Sequence, residues 1–171
     1  MHTGTKALAL ALIFLVGVPV PAADEGEMAP EFTLPVLGGD AAVSLSDSRG
    51  KVRYIDFWAS WCPPCRVSIP RIIALQEELG GESFEVIAIN IDERVEDALR
   101  FSEDYGMNYV NLSDPEGKVA ETYDLLAVPM SYVVDPGGRV TLAHAGFKRG
   151  DMAGIREHIL GQLGRRGAGD P

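Results

Sequence analysis

Val52-Arg53-Tyr54-Ile55-Asp56-Phe57-Trp58-Ala59-Ser60-Trp61-Cys62-Pro63-Pro64-Cys65 decides how the rest of this chain is read. Residues 52–57 are an apolar, β-prone run. Beyond the cysteines, Ile69, Ile72, Ile73, Gln76 and Leu79 recur at near-helical spacing until Gly80-Gly81. A strand is therefore followed by a helix, expected over 63–79 with a kink at Pro70, and the only two cysteines of the chain lie at the junction. This arrangement puts Cys62 at an exposed helix start and Cys65 one turn further in, facing inward. Only a thiolate attacks a disulfide, and the unpaired N–H groups and macrodipole of a helix start favour the anion. Cys62 is thus the expected nucleophile of a dithiol that cycles through a disulfide. Proline suits a first helical turn, but Pro63 and Pro64 remove N–H donors that could face the Cys62 sulfur, which pushes the couple toward the reducing end.

Two cysteines three apart could also be half of a zinc site or a purely structural bridge. A tetrahedral zinc site needs four ligands, and the remaining candidates, His144, His158 and scattered carboxylates, are far away in sequence. A bridge closing so short a loop constrains the unfolded chain little. No metal and no cofactor are expected.

Outward from this stretch the chain reads as one domain. The 171 residues are 46% hydrophobic, without a repeat or low-complexity tract. Short strands are expected over 29–35 and 42–45 around Gly38-Gly39-Asp40. A continuous apolar strand over 84–91 follows the first helix. Val95, Ala98, Leu99, Ser102 and Tyr105 mark one face of a second helix, ended by Gly106. A short strand at 109–112 and a short helix around Val119, Ala120 and Tyr123 come next. Residues 130–134 and 140–145 flank Asp135-Pro136-Gly137-Gly138 as a hairpin, and Met152, Ile155, Ile159 and Leu163 mark a terminal helix. The expected fold class is α/β, a mixed central sheet covered on both faces by helices.

Lys6, the apolar run 7–18 and Pro19-Val20-Pro21-Ala22-Ala23 resemble a signal peptide, expected over 1–23, with an uncleaved anchor through residues 7–18 as the alternative. The domain then covers 24–164 after a flexible acidic start, and 165–171 are expected to be a disordered tail. Export implies a periplasmic setting in which a reduced dithiol must be maintained by a donor. The formal net charge of −10 becomes −11 on loss of Lys6, the one charged residue of the leader. That acidity gives a solubilising surface and excludes nucleic acid as a partner.

The segment 56–65 resembles the active site of thioredoxins. Ala29-Pro30-Glu31-Phe32-Thr33-Leu34-Pro35 and the extra strand and helix before the hairpin are similar to the exported TlpA, ResA and CcmG-like thiol-disulfide oxidoreductases, over residues 29 to 163. The resemblance implies a thioredoxin-like fold with an N-terminal β-hairpin and an inserted strand-helix unit. It matches Pro129 to the cis-proline beside the redox pair. Proline opening a central strand is otherwise out of place, and X-Pro is where a cis peptide is accessible, although an ordinary trans-proline at a strand start is the alternative. The match implies that the N–H and C=O of Val128 pair with an extended client and that Trp61 supplies an apolar contact. Asp56, an acid in mid-strand, would have its pKa raised by burial. The resemblance sets it beneath Cys65 as the acceptor of that thiol's proton, and a solvated edge position is the alternative. Two departures stand out. Ala88 occupies the place of a lysine that thioredoxins keep near this aspartate, and Ser68 that of a glutamate found in members linked to cytochrome c maturation.

The expected protein is a monomeric, periplasmic thiol-disulfide oxidoreductase with Cys62, Cys65 and Asp56 as catalytic residues. It would reduce disulfides of exported client proteins and be re-reduced by a membrane thiol donor. A thiol peroxidase, suggested by the peroxiredoxin-like opening 29–35, and a Cu(I)-binding chaperone, suggested by two soft thiolates, are the alternatives.

Overall fold

β3 (Val52–Trp58) is buried at all seven positions and forms the centre of the structure. The computed structural model describes residues 23–168. All of the expected leader except Ala23, and the last three residues of the expected tail, lie outside that range. β4 (Phe84–Asn90) runs parallel to β3, and β5 (Val110–Ser113) parallel to β4. β6 (Met130–Val134) is antiparallel to β3, and β7 (Val140–Ala145) antiparallel to β6, giving the sheet order β5-β4-β3-β6-β7. β1 (Thr33–Pro35) and β2 (Ala42–Ser44) form a separate antiparallel pair. The helices are α1 (Cys65–Leu79), α2 (Val95–Tyr105), α3 (Lys118–Thr122) and α4 (Asp151–Ala168). The mixed sheet, the N-terminal hairpin and the inserted strand and short helix match the sequence expectation. Gly106, at φ +63° in the left-handed region, ends α2 where predicted.

Alternation along β3 divides the core. Ile55 and Phe57 point to the face covered by Phe32, Leu34, Leu45, Ala120 and Tyr123. Val52 and Tyr54 point to the opposite face, against Ile72 and Leu75 of α1 and Ile155 and Ile159 of α4. Trp58 extends that face toward Cys65, Ile69, Ala98 and Phe101.

Three expectations are corrected. The first turn of α1 does not include Pro63. A residue before proline is pushed out of the α region, and Pro63 precedes Pro64, so the helix begins at Cys65 with Pro64 at the N-cap. The acidic start is docked on β7: Gly26 N–H donates to the Val140 carbonyl at 2.8 Å, and Val140 N–H to that of Glu27 at 2.9 Å. An edge strand offers unpaired backbone groups, and residues 26 and 27 satisfy them. The C-terminal helix continues past the expected tail boundary to Ala168. Gly164 costs a helix only about 1 kcal/mol relative to alanine, too little to stop one already docked through Ile155 and Ile159.

Tyr123 fastens the N-terminal segment to the sheet. Its ring lies 5.1 Å from Phe57 and 5.3 Å from Tyr132, centroid to centroid, and its hydroxyl donates to the Pro30 carbonyl at 2.8 Å. Tyr123→Phe should leave that buried carbonyl unpaired and destabilise the protein by about 1–2 kcal/mol in urea unfolding. An unchanged midpoint would show that the segment is held without this bond.

Candidate active site

Cys62 and Cys65 form a disulfide with Cα atoms 5.3 Å apart. The Cys62 N–H donates to the Ala59 carbonyl at 3.2 Å, and the Cys65 N–H points at Cys62 Sγ, also at 3.2 Å. Pro63 and Pro64 have no N–H to give, so the first N–H of α1 is the one donor this loop aims at the sulfur. Cys62 thus keeps its place at a helix N-terminus although the helix starts later than predicted. It is not exposed, however: Cys62 is 2% accessible and Cys65 0%. Trp58, Ala59 and Ile69, with Val128 alongside, close over the pair, and a sequence pattern cannot register that cover.

The loop before Cys62 is held by residues that sequence reasoning missed. Asp92, buried just beyond β4, accepts the Ser60 N–H and the Ser60 hydroxyl, each at 2.9 Å. Asn90 Nδ2 donates to the same carboxylate at 2.6 Å. The available signal was two polar residues at the C-terminal end of an apolar parallel strand, where α/β folds place their sites.

Asp56 is 1% accessible and lies in the middle of the central strand, which excludes the solvated edge position. Its register partners are Ala88 on β4 and Ser131 on β6. Its face of β3 is shared by Tyr54 and Trp58, and Ala88 and Trp58 pack in the cluster that contains both cysteines. Burial holds the Asp56 carboxyl well above the usual carboxylate range. Neither of its oxygens has a hydrogen-bond partner within the described chain. Ser68 is also buried, with its hydroxyl donating to the Cys65 carbonyl at 3.2 Å.

The Val128–Pro129 peptide is cis. Pro129 is buried and its carbonyl accepts the Gly146 N–H at 2.8 Å. Val128 packs against the cysteine cluster, and its N–H and C=O make no hydrogen bond within the described residues. Beside it, Leu126 is 93% exposed at a mostly apolar cleft of about 220 Å³ lined by Val128, Pro129 and Met130. Trp61, 63% exposed, borders a second depression with Asp92 and Glu93. The structure therefore brings Cys62, Cys65, Trp61 and Val128 to one end of the sheet, with Asp56 below them. His144 and His158 are engaged elsewhere, with Asp151 at 3.1 Å and Thr141 at 2.9 Å.

The raised pKa of Asp56 has a consequence for stability. A carboxyl shifted upward on folding favours the folded state while protonated, and that contribution is lost as pH rises through the folded-state value. Asp56→Asn should therefore gain stability relative to the parent protein as pH rises above about 4, the range of an unfolded carboxyl, in urea unfolding. A difference independent of pH would show that the carboxyl is not held protonated by its surroundings.

The profile of the AhpC/TSA family matches residues 26–143. The thioredoxin-like protein YneN of Bacillus subtilis is 35% identical over 125 residues, covering 71% of this chain and 72% of that protein. The thiol:disulfide interchange protein HelX of Rhodobacter capsulatus is 35% identical over 129 residues, 74% of this chain and 71% of its own. Among solved structures, a Chlorobium tepidum protein assigned as the thiol:disulfide interchange protein DsbE superposes with a TM-score of 0.79 at 37% identity, over 83% of this chain and 99% of that one. Sequence, fold and redox pair agree on descent: the chain belongs to the AhpC/TSA family, among its thioredoxin-like thiol-disulfide oxidoreductases.

Proposed function

We propose that this protein is exported to the periplasm and reduces disulfides in other exported proteins, with Cys62 as nucleophile, Cys65 as resolving thiol and Asp56 as proton acceptor. The observation that carries this reading is a closed Cys62–Cys65 pair above a buried, unpartnered carboxyl, beside a stretch of backbone at Val128 with open donor and acceptor. Relatives named for thiol:disulfide interchange support the reaction class, and the leader-like residues 1–23 support export.

In the proposed cycle an extended client segment pairs with Val128 by strand addition, and Trp61 and Leu126 offer apolar contacts on either side. The Cys62 thiolate attacks one sulfur of the client disulfide, forming a mixed disulfide and releasing the other client sulfur as a thiolate. Asp56 takes the proton of Cys65, directly or through water. The Cys65 sulfur then attacks Cys62 Sγ, the bond to the client breaks, and the client leaves fully reduced while the enzyme is left oxidised. A membrane thiol donor returns two electrons and two protons.

Two measurements test this. Asp56→Asn should slow resolution of the mixed disulfide about 10- to 100-fold, the low end of general-base effects, while leaving the first attack by Cys62 nearly unchanged. Equal rates for both steps would make Asp56 structural only. The reduction potential tests direction. With a single N–H aimed at the Cys62 sulfur, the thiolate is weakly stabilised, and the potential should lie nearer about −270 mV than about −120 mV. Equilibration against glutathione, followed by the fluorescence of Trp58 and Trp61, gives the value. A potential above about −150 mV would mark a disulfide-forming enzyme instead.

A further inference from the structure

Among the described residues, the buried side-chain atoms without a hydrogen bond include both carboxylate oxygens of Asp56 and the hydroxyls of Tyr54 and Tyr109. Buried polar groups are almost always paired, so a group of unpaired ones in a single place calls for an account. The three residues share one face of the sheet. Tyr54 stands two positions before Asp56 on β3 and so points the same way. Tyr109 immediately precedes β5, two positions before Asn111, and Asn111 is in register with Ala88, itself in register with Asp56. Tyr109 packs against the cluster that contains Tyr54 and also against the one that contains Ala88 and Cys65. In the register row that joins Asp56 to Asn111 of β5, the side chain between them is the methyl group of Ala88.

The electrostatics agree with that geometry. Both phenols are pushed up, first by burial and then by the charge of Asp56, and Tyr109 also by Tyr54, while the nearby Ser131 hydroxyl acts as a weak partner that pulls Tyr54 the other way. The Asp56 carboxyl is pushed up by burial. Around it are Tyr54 from its own strand, Tyr109 from the start of β5, Ser131 from β6 and the Cys65 cluster from α1.

We propose that Tyr54 and Tyr109 are positioning residues for the resolving step, their hydroxyls donating to the ionised Asp56 carboxylate through a buried water. This rests on the reading of Asp56 as the proton acceptor. A neutral phenol is a donor to a carboxylate and gains less from its protonated form. The two hydroxyls therefore oppose the effect of burial and keep a larger fraction of Asp56 ionised at neutral pH. An ionised Asp56 is what the step requires: the Cys65 S–H bond breaks, the proton goes to Asp56, and the sulfur's electron pair forms the new bond to Cys62 as the client thiolate departs.

The test uses the full chain carrying Tyr109→Phe, Tyr54→Phe or both, each change removing a single oxygen atom. Release of a chromogenic thiolate from its mixed disulfide with Cys62 is followed from about pH 5 to about pH 10. Loss of one donor should move the rate profile upward by about 0.5 to 1 pH unit. Resolution near pH 7 then slows about 3- to 10-fold and recovers in alkali, with the first attack by Cys62 unaffected and the double variant shifted furthest. Titration of the Asp56 carboxyl by ¹³C NMR in the oxidised variants should show the same upward displacement, and it reads out in whichever variant folds. Profiles that superpose on the parent, uniform slowing without displacement, or an unmoved carboxyl titration would overturn the proposal. Asp56→Asn run alongside separates the two claims. If it resolves at the parent rate, the reading of Asp56 as base fails and this inference with it. If it is slow while the tyrosine variants keep the parent profile, only the inference fails.

Discussion

The burial of β3 on both faces is the constraint on which the rest depends. A strand without a solvent face must have helices or loops above and below it, and here one side is covered by α1 and α4 and the other by α3 and the N-terminal hairpin. Placing a carboxyl in that strand is costly, because desolvation penalises the charged form. Asp56 is tolerated because it can be neutral. The same burial that makes it expensive to fold raises its pKa, the direction that the proposed proton transfer needs. Stability and proposed chemistry are thus opposed at one residue.

The junction between β3 and α1 converts this arrangement into a redox site. Pro63 and Pro64 fix the chain there, delay the helix to Cys65 and leave one N–H directed at Cys62. Asp92 and Asn90 hold Ser60 from the end of the neighbouring strand, so the loop is fixed at both ends before the cysteines meet. A preorganised loop of this kind loses little freedom when the disulfide closes. The same end of the sheet carries Val128 with unused backbone groups and the exposed side chains of Trp61 and Leu126. The buried centre therefore holds the sulfurs, and the accessible rim is where the proposed client would dock.

Docking of the N-terminal segment adds a second kind of order. Residues 26–29 pair with the far edge of the sheet, and Tyr123 fixes Pro30. The start of the edge strand β7 is thereby paired with the chain's own backbone at Val140.

Much was legible in the sequence, because it depends on local pattern. Apolar runs gave the strands, near-helical spacing gave α1 and α2, Gly106 ended α2, and the spacing of two cysteines across a strand-helix junction identified the redox pair. An acid in an apolar strand marked Asp56 for the same reason: its oddity is visible within seven residues. The tertiary structure alone decided what depends on register between distant segments. It alone covers Cys62, joins residues 26 and 27 to β7, sets Asp92 against Ser60, and gathers Tyr54, Tyr109 and Ser131 around Asp56. None of these has a periodicity to read. They arise when segments from 23 (Ile87 and Val110) to 114 positions apart (Gly26 and Val140) come together in space, and a change of register by a single residue would turn a strand's side chains to the opposite face.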